Sequence, residues 1–533
     1  MYAVLNTFSK IQSRVELRRR LGILISSIFI KARMNSTYLR FQNLPVVTIL
    51  GSCRQDSLFK IFKVTRIRDG ITYPHYANEV LQLIRYCVDK NFDYSASPYM
   101  FRNQILERKV LSKRKAAKDF RNTDIFVIEI ASLIEYMHNG FYVHHEAYDN
   151  STSRASNLYK DGGEIVRQYQ TTSDLLKVLE KILCMIDPKK VVFVTNVATR
   201  NPSARSSLNS NIMNFAKLNG CGFFDASTLL YRPIDEVFKI EPVISHLTDL
   251  GHSIYGNRLK RIILEQHYRN LNINRIVVQK YIARNSMKEI HGLGDFIFGA
   301  LTVFQESEKN WQVPYIDISE HGMSSFVENH FSFSAEPTYV FHGSKYKTFK
   351  KPGVYFTNLR PRFEVNESEI DFIFDQILNF NDSTIQYFEN EIQNLGLLKN
   401  NNICLHVRIG DEVFHEKKDA NHQLINNLLS DIEKISANLE GHNQLVLITD
   451  SDTLSKKFKN SNLLTRNVNP VHFGSTPKHT YELLDTLCDF YILLHATKIL
   501  RYSTYDWGSG FSSVVGEIKK SSITDLSISM AKR

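Results

Sequence analysis

The sequence predicts an α/β protein built on parallel sheets. In the first half, buried-strand patterns at 45–50, 124–130 and 190–195 are separated by amphipathic helical patterns. In the second half, a strand pattern at 403–407 is followed in the same way by a helical pattern at 421–439. Strands that alternate with helices pair in parallel, because each helix carries the chain back to the start of the next strand.

The length of the chain predicts several compact bodies. With 533 residues it exceeds what one hydrophobic core normally organises. We predict a basic extension over 1–40, a first domain over 41–268, and two lobes of a second domain over 280–398 and 399–533. The boundaries fall at polar passages such as the Asn-rich stretch 269–275.

Positive charge is concentrated in the first 40 residues. The formal net charge is +11, to which eight basic residues and one acidic residue of this segment contribute +7, leaving +4 for the other 493 residues. A protein that binds nucleic acid usually carries a basic face on its folded body. We therefore expect no nucleic-acid partner.

The basic extension contains a short apolar run, residues 21–30. Ten residues fall short of the roughly 20 that a membrane-spanning helix needs, and no small-residue cleavage site of a secretory signal follows. Two interpretations stay open. Residues 14–33 form a basic helix that lies on an anionic membrane surface, or the segment is a non-native extension ahead of a start at Met34.

The six cysteines show no paired spacing and lie mostly in apolar runs. This pattern is typical of reduced thiols and predicts neither a disulfide framework nor a zinc site. The His-rich segment 142–146 is interpreted as a polar surface in preference to a metal site. We expect a cytoplasmic protein, associated with the inner face of the membrane if residues 14–33 bind it.

The most specific motif is His406-x-Arg408, with Gly410-Asp411 directly after it and an apolar strand pattern before it. A strand that ends in this way places a guanidinium at the carboxyl edge of a sheet, where open α/β sheets bind ligands. The planar, permanently charged guanidinium suits a phosphate group. The alternative is a surface ion pair between Arg408 and Asp411.

A glycine-containing segment opens the second half. Gly292 and Gly294, followed by Asp295, lead into a helical pattern. Glycines let backbone N–H groups approach a phosphate, and the helix N-terminus adds partial positive charge. The alternative is a tight packing loop.

A similar segment near the end of the chain is rich in hydroxyl groups. Ser509, Phe511 and Ser512 lie among glycines at a strand-to-helix turn. This composition predicts a second phosphate site at a helix N-terminus. The alternative is a serine-capped helix.

Between these segments, Asp450 and Asp452 follow the strand pattern 444–449. An Asp-x-Asp pair after a strand can hold a divalent cation that bridges a diphosphate. The alternative is helix capping by Asp450 or Ser451.

Taken in order, the four segments resemble motifs of the alpha-1,2-fucosyltransferases and of their alpha-1,6- and protein O-fucosyltransferase relatives, over about 285–520. The resemblance implies a GT-B fold of two Rossmann-like lobes and inverting transfer from GDP-fucose, without a bound metal or cofactor. Arg408 would grip the diphosphate, and Asp411 is the candidate base, with Asp295 as second choice. The implied donor-binding residues are Gly292, Gly294, Asp295, His406, Arg408, Asp450, Ser509, Phe511 and Ser512.

The chain departs from this family pattern at several positions. Ile409 stands where the bacterial alpha-1,2 enzymes commonly have a second arginine, and Asp295 stands where they have asparagine. Ser513 and Val514 replace the tryptophans that follow Phe-Ser. The linkage and the transferred sugar therefore stay open.

The first domain carries a different set of polar residues. Ser52 follows the first strand pattern, and Asp249-x-x-His252 lies near the end of the domain. Over about 45–265 this arrangement resembles the SGNH or GDSL-like hydrolases, which implies a three-layer α/β/α domain. Ser52 would be the nucleophile and His252 the base, oriented by Asp249, while Asn196 would supply the oxyanion hole. The alternative is a degenerate domain that serves as a scaffold or binds glycans.

Together these observations predict an inverting fucosyltransferase that uses GDP-fucose and a glycan or glycolipid acceptor in cell-surface polysaccharide or glycolipid synthesis. The SGNH-like domain would act on acyl groups of the same glycan. Two alternatives stay open: a metal-dependent glycosyltransferase that uses Asp450 and Asp452, and a non-catalytic scaffold that binds glycans or nucleotide-sugars.

Overall fold

The computed structural model divides into two compact units, Met1–Ala226 (unit 1) and Ser227–Arg533 (unit 2). The residues that the structure describes are 44–95, 97–148, 165–197, 205–231, 234–239, 246–281, 292–328, 331–333, 339–341, 351–397, 402–409, 428–435, 444–458, 463–466, 480–503, 509–520 and 522–526.

Unit 1 contains a parallel sheet and a smaller antiparallel sheet. Its described strands are β1 (Val46–Leu50), β2 (Lys63–Val64), β3 (Ile125–Glu129), β4 (Ile134–His138), β5 (Phe141–Tyr142), β6 (Val166–Tyr169), β7 (Val191–Val194) and β8 (Gly222–Phe224). The order β2-β1-β3-β7-β8 forms the parallel sheet, and the order β5-β4-β6 forms the antiparallel one. The described helices are α1 (Ile67–Gly70), α2 (Ala77–Val88), α3 (Arg102–Ile105), α4 (Lys113–Arg121), α5 (Thr172–Leu183) and α6 (Ser206–Leu218).

The strands predicted in the first half are confirmed. The apolar runs at 45–50, 124–130 and 190–195 form β1, β3 and β7, which pair in parallel. Every residue of β3 and β7 is buried. Continuous burial of this kind is expected where both faces of a parallel sheet are covered.

Unit 2 contains two further parallel sheets. Its described strands are β9 (Phe238–Lys239), β10 (His246–Leu247), β11 (Ile276–Lys280), β12 (Val313–Asp317), β13 (Tyr339–Phe341), β14 (Gly353–Thr357), β15 (Asn402–Arg408), β16 (Gln444–Thr449), β17 (Leu464–Thr465), β18 (Lys498–Ser503) and β19 (Ile523–Asp525). The order β12-β11-β14-β13 forms a four-stranded sheet, the order β17-β16-β15-β18-β19 forms a five-stranded sheet, and β9 pairs with β10. The mixed α/β class with parallel sheets is thus confirmed.

The helices of unit 2 connect and cover these strands. Those described are α7 (Ile234–Val237), α8 (Asp249–Asn270), α9 (Leu293–Lys309), α10 (Glu367–Gln376), α11 (Asp382–Asn394), α12 (Asp452–Phe458), α13 (Thr480–Leu494) and α14 (Gly510–Lys519). A further helical stretch covers 428–435.

The two large sheets of unit 2 share one hydrophobic core. A continuous cluster of buried side chains includes Leu293 of α9, Cys404 of β15 and Val514 of α14. Helix α9 packs against α14 within this cluster. The predicted lobes 280–398 and 399–533 therefore lie in one compact unit.

Helix α8 belongs to unit 2, although the predicted domain boundary lies near its end, at residue 268. Arg258 on this helix pairs with Asp371 of α10 at 2.9 Å, and both side chains are almost fully buried. Arg261 pairs in the same way with Asp375 at 2.7 Å. Because separating a buried ion pair leaves charges without partners, which is costly, the helix stays with unit 2 and the division falls before it.

None of the helices in the described part of the chain combines the length and the apolar run needed to cross a bilayer. The predicted membrane-surface segment 14–33 lies outside the described residues.

Candidate functional site

In the five-stranded sheet, β16 and β18 flank β15, and all three strands end at the same level. The register of β15 with β16 sets Val407 opposite Thr449, and its register with β18 sets Arg408 opposite Ser503. Residues that follow these strands therefore meet at the carboxyl edge, where open α/β sheets bind ligands. The predicted place of Arg408 at the end of a strand is confirmed.

Asp450 holds Arg408 at this edge. The Nε atom of Arg408 lies 3.5 Å from Oδ2 of Asp450, and the backbone N–H of Ile409 donates to Oδ1 of Asp450 at 2.9 Å. The Asp450 side chain is 6% exposed and the Arg408 side chain is 18% exposed, so a buried carboxylate anchors a guanidinium that still reaches solvent. Asp411, the partner considered from the sequence, lies outside the described residues.

His406 is a buried, neutral imidazole two residues before Arg408. Burial, followed by the charges of Arg408 and Arg501, lowers the pKa of His406 to about 3. Its Nδ1 atom has no hydrogen-bond partner among the described residues, and its ring centroid lies 5.8 Å from that of Phe511. A buried nitrogen without a partner costs free energy, so a ligand group that bonds to it would be stabilised there.

The two glycine segments predicted to bind phosphate touch one another. A Cβ atom placed on Gly294 would lie 2.3 Å from the carbonyl carbon and oxygen of Gly510 and 2.6 Å from the backbone nitrogen of Phe511. A Cβ atom on Gly510 would lie 3.0 Å from Oδ1 of Asp295. Only glycine fits at position 294. The N-terminal turns of α9 and α14 therefore converge.

Within the described residues, neither of these helices has a side-chain cap at its N-terminus. Helix α9 follows Gly292, and α14 follows Ser509, whose side chain makes no capping hydrogen bond. The first-turn N–H groups of a helix lack acceptors within the helix, and its N-terminus attracts anions. The hydroxyl of Ser512 donates to the carbonyl of Ser509 at 3.4 Å, and both residues are buried. The serine-capped helix is thus wrong, and two sets of N–H donors lie at the same place.

The segment from Asp450 to Asp452 starts helix α12. Ser451 Oγ accepts the N–H of Leu454 at 3.3 Å, which confirms the predicted capping by this serine. Both oxygens of Asp450 are engaged, by Ile409 and by Arg408. The side chain of Asp452 lies outside the described residues. These contacts make Asp450 a positioning residue for Arg408.

No protein-family model and no curated protein matches the chain. Solved structures that match include fucosyltransferases. The chain is 12% identical to the fucosyltransferase NodZ from Bradyrhizobium, with a TM-score of 0.31 over 45% of this chain and 91% of that one. It is 11% identical to a mutant of Arabidopsis thaliana FUT1 in complex with GDP, with a TM-score of 0.32 over 52% and 80%. For POFUT1 in complex with GDP-fucose the identity is 9% and the TM-score 0.23, over 63% and 97%. At these values the matches do not assign the chain to a family.

In unit 1, Ser52 and Asn196 are both tied to Glu129, which was not among the predicted residues. Glu129 ends β3, and its carboxylate accepts the backbone N–H of Ser52 at 2.7 Å and the side-chain amide of Asn196 at 3.2 Å. The amide of Gln55 donates to it at 2.9 Å, and Arg54 lies 3.5 Å away. These donors compensate the burial of the charge. The sequence signal for Glu129 is an acidic residue at the end of an apolar run.

Asp249 and His252, the other members of the predicted triad, belong to unit 2. They lie in the first turn of α8, whose N-cap Thr248 accepts the N–H of Gly251 at 3.0 Å. The triad of Ser52, His252 and Asp249 and the SGNH-like fold of unit 1 stay predictions.

Lys280 and Tyr281 at the carboxyl end of β11 were also not among the predicted residues. The Lys280 side chain is fully buried, and its Nζ lies 2.6 Å from Oε1 of Glu320. Tyr281 stacks between Phe296 and His321, with ring centroids at 3.9 and 4.1 Å. Because Phe296 lies in the first turn of α9, this stack fixes the helix N-terminus that carries Gly294. A lysine and a tyrosine after an apolar strand pattern carry no sequence signal for a buried ion pair or for ring stacking.

Proposed function

We propose that unit 2 is an inverting glycosyltransferase whose donor is a nucleoside-diphosphate sugar, GDP-fucose. One observation carries this proposal: the N-termini of α9 and α14 meet at Gly294 and Gly510. Phe511, the residue after Gly510, lies near His406, on the strand that ends in Arg408. A site formed by two helix N-termini and a guanidinium suits the negative charge of a diphosphate.

The chemistry of glycosyl transfer explains why these donors would matter. The bond between the sugar C1 atom and the phosphate oxygen breaks, and negative charge grows on the departing nucleoside diphosphate. Donors that are fixed in advance stabilise this charge more in the transition state than in the ground state. In unit 2 these donors are the Arg408 guanidinium and the first-turn N–H groups of α9 and α14.

Inversion requires a base for the acceptor. The acceptor hydroxyl oxygen attacks C1 from the face opposite the diphosphate, and its proton passes to a carboxylate. Asp295 is exposed in the first turn of α9 and lies near Gly510, whereas Asp411 lies outside the described residues. The exposure of Asp295 and its place beside Gly510 support it as a candidate base, and Asp411 stays a candidate as well.

The proposed reaction uses no metal and no cofactor. Arg408 and the helix N-termini supply positive charge, while the oxygens of Asp450 are engaged by Ile409 and Arg408. The order of the four motifs resembles that of the fucosyltransferases and therefore favours fucose as the sugar. The proposed acceptor is a cell-surface glycan or glycolipid. The metal-dependent alternative, with Asp450 and Asp452 as ligands, predicts loss of activity with chelator.

A panel of nucleotide-sugars tests the proposal. The full-length protein is offered GDP-fucose, GDP-mannose and a UDP-sugar with a mixture of glycan acceptors, and released nucleotide is measured. We expect release of GDP from GDP-fucose that rises with acceptor and is lost in Arg408→Ala. Binding of GDP-fucose without acceptor-dependent release would identify a non-catalytic scaffold, and failure to bind any nucleotide-sugar would overturn the proposal.

A further inference from the structure

Three histidines of unit 1 form a cluster that the proposed transferase site does not use. One nitrogen atom of each of His75, His144 and His145 lies within 4.8 Å of those of the other two. The ring centroids are 4.3 Å apart both for His75 with His145 and for His144 with His145. His144 is buried, whereas His75 and His145 are half-buried as whole residues.

The backbone holds His75 firmly in this cluster. Its N–H donates to Oε2 of the buried Glu79 at 2.9 Å. Its carbonyl accepts the N–H groups of Ala131 and Ser132 at 2.8 and 3.1 Å. These two residues follow β3, so His75 is fixed at the carboxyl edge of the parallel sheet, where ligands bind in folds of this kind.

The ring of His144 is oriented by a backbone carbonyl. Its Nε2 atom lies 3.1 Å from the carbonyl oxygen of Tyr73. A carbonyl oxygen can only accept, so Nε2 carries the hydrogen and the lone pair is on Nδ1. Among the described residues, Nδ1 accepts only a long hydrogen bond, at 3.3 Å, from the N–H of Glu146. A carbonyl on the far nitrogen is the usual outer partner of a metal-bound histidine.

We propose that His75, His144 and His145 bind one divalent transition-metal ion of the zinc class, with a fourth position open to water or a ligand. Imidazole nitrogen suits Zn²⁺, Co²⁺ and Ni²⁺, and three protein ligands with one open position are typical of catalytic zinc. Zn–N bonds of about 2.0 Å require nitrogens about 3.3 Å apart in a tetrahedral site. Small rotations of the His75 and His145 side chains would bring nitrogens now within 4.8 Å to that spacing.

Three guanidinium groups, those of Arg54, Arg102 and Arg205, lie near His75. Arg102 is paired with Glu146 at 2.9 Å, and Arg54 lies 3.5 Å from Glu129, so carboxylates offset two of these charges. Arg205 donates to the carbonyl oxygen of Ala131. The carboxylate of Glu146 lies 4.0 Å from Nδ1 of His144, close enough to attract a cation at that nitrogen. A metal at this edge would polarise a bound carbonyl or activate a water molecule, which would give unit 1 a chemistry separate from glycosyl transfer.

The test is metal binding by the full-length protein without a histidine tag. After removal of metals with EDTA and desalting, the protein is titrated with CoCl₂ and with ZnCl₂, using visible absorption for cobalt and calorimetry for zinc. We expect one ion per chain and cobalt bands typical of tetrahedral coordination. His145→Ala and His75→Ala should each weaken binding at least about 100-fold, because loss of an outer-shell partner alone costs 10- to 100-fold.

A matched control is His138→Gln, which removes a histidine of the same unit that bonds to Ser97 Oγ at 3.0 Å and lies outside the cluster. This variant should bind as the wild type does, and circular dichroism checks that every variant is folded. Failure of the wild type to bind either ion, or equal binding by folded His145→Ala, would overturn the proposal. GDP-fucose binding, measured on the same samples, depends on unit 2 and reports separately on the proposed transferase.

Discussion

Gly294 and Gly510 lie 216 residues apart in the chain, yet a Cβ atom on the first would overlap the carbonyl group of the second. Each residue lies in the first turn of a helix, and in the part of the chain that the structure describes neither helix has a side-chain cap. The contact therefore places two uncapped helix N-termini together. It is the feature of unit 2 most directly suited to a diphosphate.

We expect Gly294→Ala to lower GDP-fucose turnover by roughly 100-fold, because the added methyl group must push the two turns apart and a shift of about 1 Å at a site can cost that much. Steady-state release of GDP measures the effect. Ser307→Ala is the control, since Ser307 lies in the last turns of the same helix and its hydroxyl makes no hydrogen bond within the described residues. Equal activity of Gly294→Ala and the wild type would show that the convergence is not part of the site.

Replacement of Arg408 tests whether its guanidinium stabilises the negative charge that develops on the departing diphosphate. Arg408→Ala should reduce kcat/KM by roughly 10²- to 10³-fold, or about 3–4 kcal/mol, as expected for loss of one preorganised donor. Arg408→Lys should not restore activity, because a point charge cannot reproduce the planar fork. Arg269→Ala is the control, an exposed arginine paired with Glu265 on α8. Full turnover by Arg408→Ala would remove this residue from the mechanism.

Chelation separates the two metal hypotheses. We expect EDTA to leave acceptor-dependent GDP release unchanged, because Asp450 is engaged by Ile409 and Arg408, while it strips any ion from the histidine cluster of unit 1. Asp450→Asn should lower kcat/KM about 10-fold, since the uncharged amide holds Arg408 less firmly. Loss of release with EDTA and its recovery with Mg²⁺ would favour the metal-dependent alternative.

The buried His406 predicts a dependence of stability on pH. Its pKa is about 3 in the folded protein against a usual 6.5. Below about pH 6.5 the unfolded chain takes up a proton that the folded chain cannot, so the contribution of His406 to stability is present above pH 6.5 and is lost as the pH falls toward 3. The slope from this group is about 1.4 kcal/mol per pH unit. Urea unfolding of unit 2 should therefore depend less steeply on pH in His406→Gln, and identical slopes would contradict the prediction.

Much of the fold could be predicted because it depends on local patterns. The apolar runs that form β1, β3 and β7 are long enough to be recognised singly. The boundary at residue 268 differs from the division before α8, because the ion pair of Arg258 with Asp371 joins residues 113 positions apart. No local pattern contains that pairing.

In the candidate site, too, local motifs can be recognised in the sequence, whereas contacts between distant residues cannot. His406, Arg408 and the two glycine turns can be proposed from the sequence because each carries its signal within a few residues. The anchoring of Arg408 by Asp450 depends on the register of β15 with β16, whereas the sequence alone suggests only an ion pair with the neighbouring Asp411 as an alternative.

The shared core of unit 2 has a practical consequence for expression of its C-terminal part alone. Residues of α9 such as Leu293 and Phe296 are buried in the same cluster as Val514 and Val515 of α14. A recombinant fragment that starts at residue 399 would lose those neighbours and expose an apolar surface to solvent. We expect such a fragment to precipitate. The whole of 227–533 should be the smallest fragment of unit 2 that stays folded and does not aggregate.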